Sequence, residues 1–215
     1  MSTPVFRPPT PEPVTTAGPV GSIEALVEVP DGFDGRAIAV VCHPHPLFGG
    51  TMRNKVVHMT ARALQEGGLA TLRFNFRGVG ASAGTFDDGR GETDDALAAC
   101  DYALGRWPGA ALTLAGFSFG SFVAFKVASL RPAVRLYTIA PPVRRFDFDQ
   151  HPVPHVPWTV IQGDRDELVE HDAVVAWAGA ARPAPTLVTI SGAEHFFHGR
   201  LGELMAAIRS GLGER

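Results

Sequence analysis

The chain has 215 residues, 45% of them hydrophobic, with a net charge of −3 and a pI near 6.2. That length suits one sizeable core rather than two domains, and the acidic balance offers no basic face for nucleic acid. No apolar run approaches the roughly 20 residues of a membrane span, the N-terminus lacks the basic-then-apolar order of a secretory signal, and Cys42 and Cys100 are too few for a disulfide framework. The expectation is a cytoplasmic protein with reduced thiols. It should act on a small molecule, with no nucleic-acid or membrane partner.

Residues 1–19 hold six prolines and little apolar periodicity, so they read as a flexible Pro-rich arm before a single domain over 20–215. SIEALVEVP (22–30) alternates as a strand does, and can pair antiparallel with something before it. RAIAVVCHP (36–44) is a near-continuous apolar run, as in a strand buried on both faces. NKVVHMTARALQEGG (54–68) has helical spacing and ends on two glycines. LATLRFNF (69–76) is a strand. GETDDALAACDYALGRW (91–107) is a helix with acids in its first turn, where the helix dipole favours them. Strands over 110–117, 133–142, 157–164 and 185–193 then alternate with helices over 119–130, 172–181 and 201–212. That order predicts an α/β fold: a mostly parallel central sheet with helices on both faces. Ligands of such sheets bind at the carboxyl ends of the strands, so the informative residues should follow the strands.

The most informative turn is Gly116-Phe117-Ser118-Phe119-Gly120, between a strand and a helix. A serine hydroxyl is a weak nucleophile that needs a base, and the base needs an orienting group. A sharp strand-to-helix turn lifts Ser118 clear of the backbone, and the flanking glycines permit the close approach of strand and helix. The new helix then directs free N–H groups, that of Phe119 first, at a developing oxyanion. His195 follows the last strand in ISGAEHFF and is the candidate base. The preceding strand ends in VIQGDRDELV, where Asp164 or Asp166 is the orienting acid and the other braces a turn. Serine, acid and histidine in that chain order match the α/β-hydrolase arrangement.

CHPHPLFGGTMRNK (42–55) follows the first parallel strand and should supply a second oxyanion donor. Pro44 and Pro46 have no N–H, which leaves His45 and Leu47. His43 and His45 have a spacing compatible with metal, but no third ligand lies near and the prolines stiffen the turn for a structural reason, so no metal and no cofactor is expected. Cys42 beside His43 reads as a buried core thiol. His45, Phe48 and Phe117 are candidates for the substrate pocket. Asp87, Asp88, Glu92, Asp94 and Asp95 read as a solvated helix start that can border the cleft.

With HPHPLFGGTMRNKVV, TLRFNFRGVGASAG, GFSFG, GDRDELV and GAEHFF in view, the chain resembles the α/β-hydrolase superfamily over roughly residues 20–212. It is most similar to small, lidless bacterial serine hydrolases of the dienelactone-hydrolase-like group. The resemblance implies an α/β-hydrolase fold with no lid domain, since only VRRFDFDQHPVPHV intervenes where many relatives insert one. It carries the nucleophile onto Ser118, the base onto His195 and the acid onto Asp166, three residues after Gly163. Backbone N–H groups of Phe119 and Leu47 are the implied oxyanion donors. Dienelactone hydrolases proper use cysteine where Ser118 stands, so their specific reaction does not transfer. The implied activity is a serine hydrolase of carboxylesterase or thioesterase type, cleaving small acyl esters through an acyl-enzyme. Peptidase or amidase action on the same residues, or a binding protein with an unused triad, are the alternatives.

Overall fold

A computed structural model describes residues 6–213. Its strands are β1 (Glu12–Gly18), β2 (Gly21–Glu28), β3 (Ala37–Cys42), β4 (Ala70–Phe74), β5 (Ala111–Phe117), β6 (Arg135–Ile139), β7 (Trp158–Gly163) and β8 (Thr186–Ile190). The helices are α1 (Lys55–Glu66), α2 (Gly91–Arg106), α3 (Phe119–Leu130), α4 (His171–Ala180) and α5 (Leu201–Leu212). One eight-stranded sheet has the order β1-β2-β4-β3-β5-β6-β7-β8, with β2 antiparallel to both of its neighbours, β1 and β4, and every other pairing parallel. This is the mostly parallel α/β sheet expected from the order of elements, and, as the family resemblance implied, β6 joins β7 with a single 3₁₀ turn and no lid domain.

The N-terminal expectation needs correcting. Residues 1–5 lie outside the described residues, but Glu12–Gly18 is an ordered edge strand paired with β2 along its whole length, from Glu12↔Val27 to Gly18↔Gly21. Proline is tolerated at a sheet edge, where one side of the backbone makes no ladder bonds. The pairing is reinforced by Arg106 of α2, which grips both carboxylate oxygens of Glu12 at 3.1 and 2.7 Å.

The sheet separates two apolar clusters. On one face, α2, α3 and α4 bury Ala99, Val123, Phe125 and Val174. On the other, α1 and α5 bury Val57, Leu64, Leu204 and Ile208. Burial of strands β3 to β7 on both faces explains their continuous apolar runs. Polar exceptions in β4 and its extension are paired: Arg73 meets Glu28 at 2.8 Å, and Arg77 meets Asp95 through two nitrogens at 3.0 and 2.8 Å. No helix among the described residues is long and apolar enough to cross a membrane.

Candidate active site

The turn between β5 and α3 has the geometry its glycines suggested. Ser118 adopts φ 53°, ψ −123°, a left-handed region that a non-glycine residue seldom enters. Neither neighbouring glycine can carry a side chain. A Cβ on Gly116 would lie 2.0 Å from the Gly120 carbonyl oxygen, and one on Gly120 would lie 2.4 Å from that of Cys42. The Cys42 end of β3 is therefore packed directly against the first turn of α3.

The structure brings Ser118, His195 and Asp166 together. Ser118 Oγ is 3.2 Å from His195 Nε2, and His195 Nδ1 is 2.9 and 3.1 Å from the two oxygens of Asp166. A carboxylate facing Nδ1 keeps the ring proton there and leaves Nε2 as the acceptor for the serine hydroxyl. Asp166 is buried, and burial pushes its pKa up. The bond to His195 and the backbone N–H groups of Val169 and Leu168 outweigh that and hold it below the usual carboxylate value. Asp164 faces elsewhere, accepting from the Gly192 N–H at 2.6 Å and the Ser191 hydroxyl at 3.1 Å. It ties the loops after β7 and β8 together.

Three supports were not anticipated from sequence. Buried Gln162 of β7 donates from Nε2 to Asp166 Oδ2 at 3.1 Å and to the Val169 carbonyl at 3.2 Å, so it shares with His195 the carboxylate oxygen nearest the ring and ties the acid to its own loop. Glu167 accepts the His195 backbone N–H at 3.2 Å. Phe117 packs its ring 5.0 Å from that of His195. The available signal was the polar Gln162 at the end of a fully buried strand, directly after Val160 and Ile161.

Two residues do not have the roles expected of them. Leu47 does not line the cavity beside Ser118; its side chain is exposed and its N–H donates to His45 Nδ1 at 3.2 Å, closing the single 3₁₀ turn Pro46–Phe48. The proline-flanked loop turns one step earlier than the oxyanion assignment assumed. Phe117 is buried beneath His195 in the cluster against α1 and α5, because a strand residue one position before Ser118 points to the opposite face. His45 and Phe48 do line the cavity. The N–H groups of His45 and Phe119 have no acceptor among the described residues.

The remaining motifs are structural. His43 Nδ1 is 2.6 Å from the Pro44 carbonyl and its Nε2 accepts the Phe76 N–H at 3.0 Å, so both ring nitrogens are engaged. Among the described residues no cluster of three or more His, Cys, Asp or Glu side chains could hold a metal. Burial pushes the Cys42 thiol well up and the Cys100 thiol up to about 12, which makes both inert at neutral pH. The acidic stretch is not simply solvated: Glu92 is buried and accepts the N–H groups of Asp87 and Gly89, and Asp95 is buried against Arg77.

The cavity at Ser118 has a volume of about 450 Å³ and is walled mainly by Phe48, Phe119, Phe146, Phe196, Leu168 and Val169. A nucleophile-type turn at the carboxyl end of a parallel sheet, opening into such a cavity, defines an α/β hydrolase. XC6422 of Xanthomonas campestris, an α/β serine hydrolase without a lid, is 43% identical with a TM-score of 0.88, over 97% of this chain and 96% of that one. A serine hydrolase homologue from Coxiella burnetii is 42% identical with a TM-score of 0.91, over 94% of this chain and 97% of that one. An uncharacterized protein of Rickettsia prowazekii (strain Madrid E), RP471, is 38% identical over 205 residues, covering 91% of this chain and 86% of its own. No family model matches the sequence. The chain belongs to the lidless α/β serine hydrolases, and its class of chemistry is hydrolysis.

Proposed function

We propose that the protein is a carboxylesterase-type serine hydrolase acting on small acyl esters. The observation that carries this reading is the continuous hydrogen-bonded line from Ser118 through His195 to Asp166, at 3.2 and 2.9 Å, on the floor of an apolar cavity. Ser118 Oγ adds to the carbonyl carbon while its proton passes to His195 Nε2. Asp166 stabilises the imidazolium that results. The tetrahedral oxygen accepts from the Phe119 N–H at the start of α3 and from the His45 N–H, which replaces Leu47 as the second donor. Collapse expels the alcohol, protonated by His195. Water activated by the same imidazole then releases the acid.

The test is a series of p-nitrophenyl esters of increasing acyl length, with an aminoacyl anilide as control. Turnover should be abolished in Ser118→Ala, because loss of the nucleophile costs about 10⁶ in kcat. Each methylene that still fits should add about 0.8 kcal/mol to the stabilisation, and the gain should stop where the short cavity ends. Near wild-type turnover in Ser118→Ala would remove the assignment. Faster cleavage of the anilide than of the esters would favour an amidase.

A further inference from the structure

The wall of the cavity at Ser118 carries one charged side chain, Arg145, and no acid. Arg145 lies in the short connection between β6 and β7, its backbone N–H bonded to the Pro142 carbonyl at 2.9 Å. Its neighbour Arg144 is paired with Glu170, whereas no carboxylate lies within ion-pair distance of Arg145 among the described residues. The guanidinium is close enough to His45 to disfavour protonation of that ring, an effect that adds to burial. Asp88 acts on His45 in the opposite sense but is not part of the cavity wall. Phe48, Phe119 and Phe146 surround the His45 ring, with centroids at 4.6, 5.1 and 6.3 Å, so the cavity wall that Ser118 and Arg145 share is largely aromatic.

A neutral ester has no use for a cation at the mouth of its acyl pocket. A fork of N–H donors matches a carboxylate, and the guanidinium of Arg145 has no carboxylate of this chain already holding it among the described residues. We propose that Arg145 receives the distal carboxylate of the acyl group, making half-esters of short dicarboxylic acids the preferred substrate class. The acyl methylenes would lie on the phenylalanines, and the scissile carbonyl at Ser118. This specifies the substrate of the site read above as an esterase, and rests on that reading.

Binding separates the two ideas. Ser118→Ala protein is titrated calorimetrically with methyl hydrogen adipate and, separately, with dimethyl adipate; the succinate and glutarate pairs follow. The half-ester should bind about tenfold more tightly than the diester, a ratio that falls to about one in Ser118→Ala/Arg145→Gln and is partly restored by lysine at the position. Arg145 is exposed, so the substitution should leave the circular dichroism spectrum and melting temperature unchanged. Equal binding of half-ester and diester in every pair, binding of neither, or a preference that survives Arg145→Gln would overturn the proposal. A preference for half-esters in binding, with no turnover of any ester by the wild type, would overturn the esterase reading and leave the anion subsite standing.

Discussion

Asp164 and Asp166 follow the same strand two residues apart and have separate tasks. Asp166 faces His195 and also accepts from Gln162, Leu168 and Val169. Asp164 holds the Gly192 turn. Asp166→Asn should leave the imidazole in the wrong tautomer, which costs serine proteases about 10⁴ in kcat. Asp164→Asn should lose less than about tenfold, through a looser turn, since the amide still accepts from the Gly192 N–H and gives up only the charge assistance of that bond, worth roughly 1 kcal/mol. Measuring kcat for both at pH 8 decides between them, and a dead Asp164→Asn would reverse the assignment. At this scale the sequence was informative where chemistry demands a residue type: Ser118 and His195 were legible from their places behind strands, whereas Asp166 and Asp164 share one strand end and only the family resemblance told them apart. It was silent where a backbone atom does the work. Leu47 and His45 differ in which N–H is left free: the His45 ring accepts that of Leu47, a contact that exists only once the loop has folded.

At the scale of elements, the site depends on how strand ends are joined. His43, just past β3, spans from the Pro44 carbonyl to the Phe76 N–H beyond β4, and so fixes the loop carrying His45 against its neighbour. Burial lowers the His43 pKa to about 4. An unfolded histidine titrates near about 6.5, so between those two values the unfolded chain binds more protons than the folded one. Stability from this group is complete above the unfolded value and declines as the pH falls toward the folded one. Between pH 7.5 and 5 the loss should be about 2 kcal/mol. Urea unfolding of His43→Gln, which keeps an acceptor for Phe76 but cannot titrate, should show that much less pH dependence over the same interval. An undiminished dependence would place it on other groups. The parallel strands and their helices were legible because burial on both faces writes itself as apolar runs. The acidic start of α2 was not, because Glu92 and Asp95 look like surface residues until the loop and the arginine they serve fold onto them.

Across the whole molecule, the first strand is where sequence and structure part most. Six prolines in residues 1–19 conceal a strand whose alternation is carried only by Val14, Thr16 and Gly18, half-buried against β2. Removing residues 1–18 should strip the sheet of its edge, break the Glu12–Arg106 pair and uncover β2. A loss of about 2 kcal/mol corresponds to roughly 4–8 °C in melting temperature for a chain of this size. An unchanged melting temperature would mean that β1 adds nothing beyond covering the edge.

The partition of the core has a further consequence. Phe119 belongs to the cluster under α2, α3 and α4, whereas Phe117, Ala193 and Phe197, which flank Ser118 and His195, belong to the one under α1 and α5. Ser118 therefore sits on the seam between two separately packed halves, and its distance to His195 reports how they are aligned. Warming that softens one half before the other would spoil this alignment while most of the fold persists. Inactivation should then precede melting by several degrees. Esterase activity and near-ultraviolet circular dichroism followed on the same heated sample would reveal the interval, and coincident curves would show that the two halves give way as one.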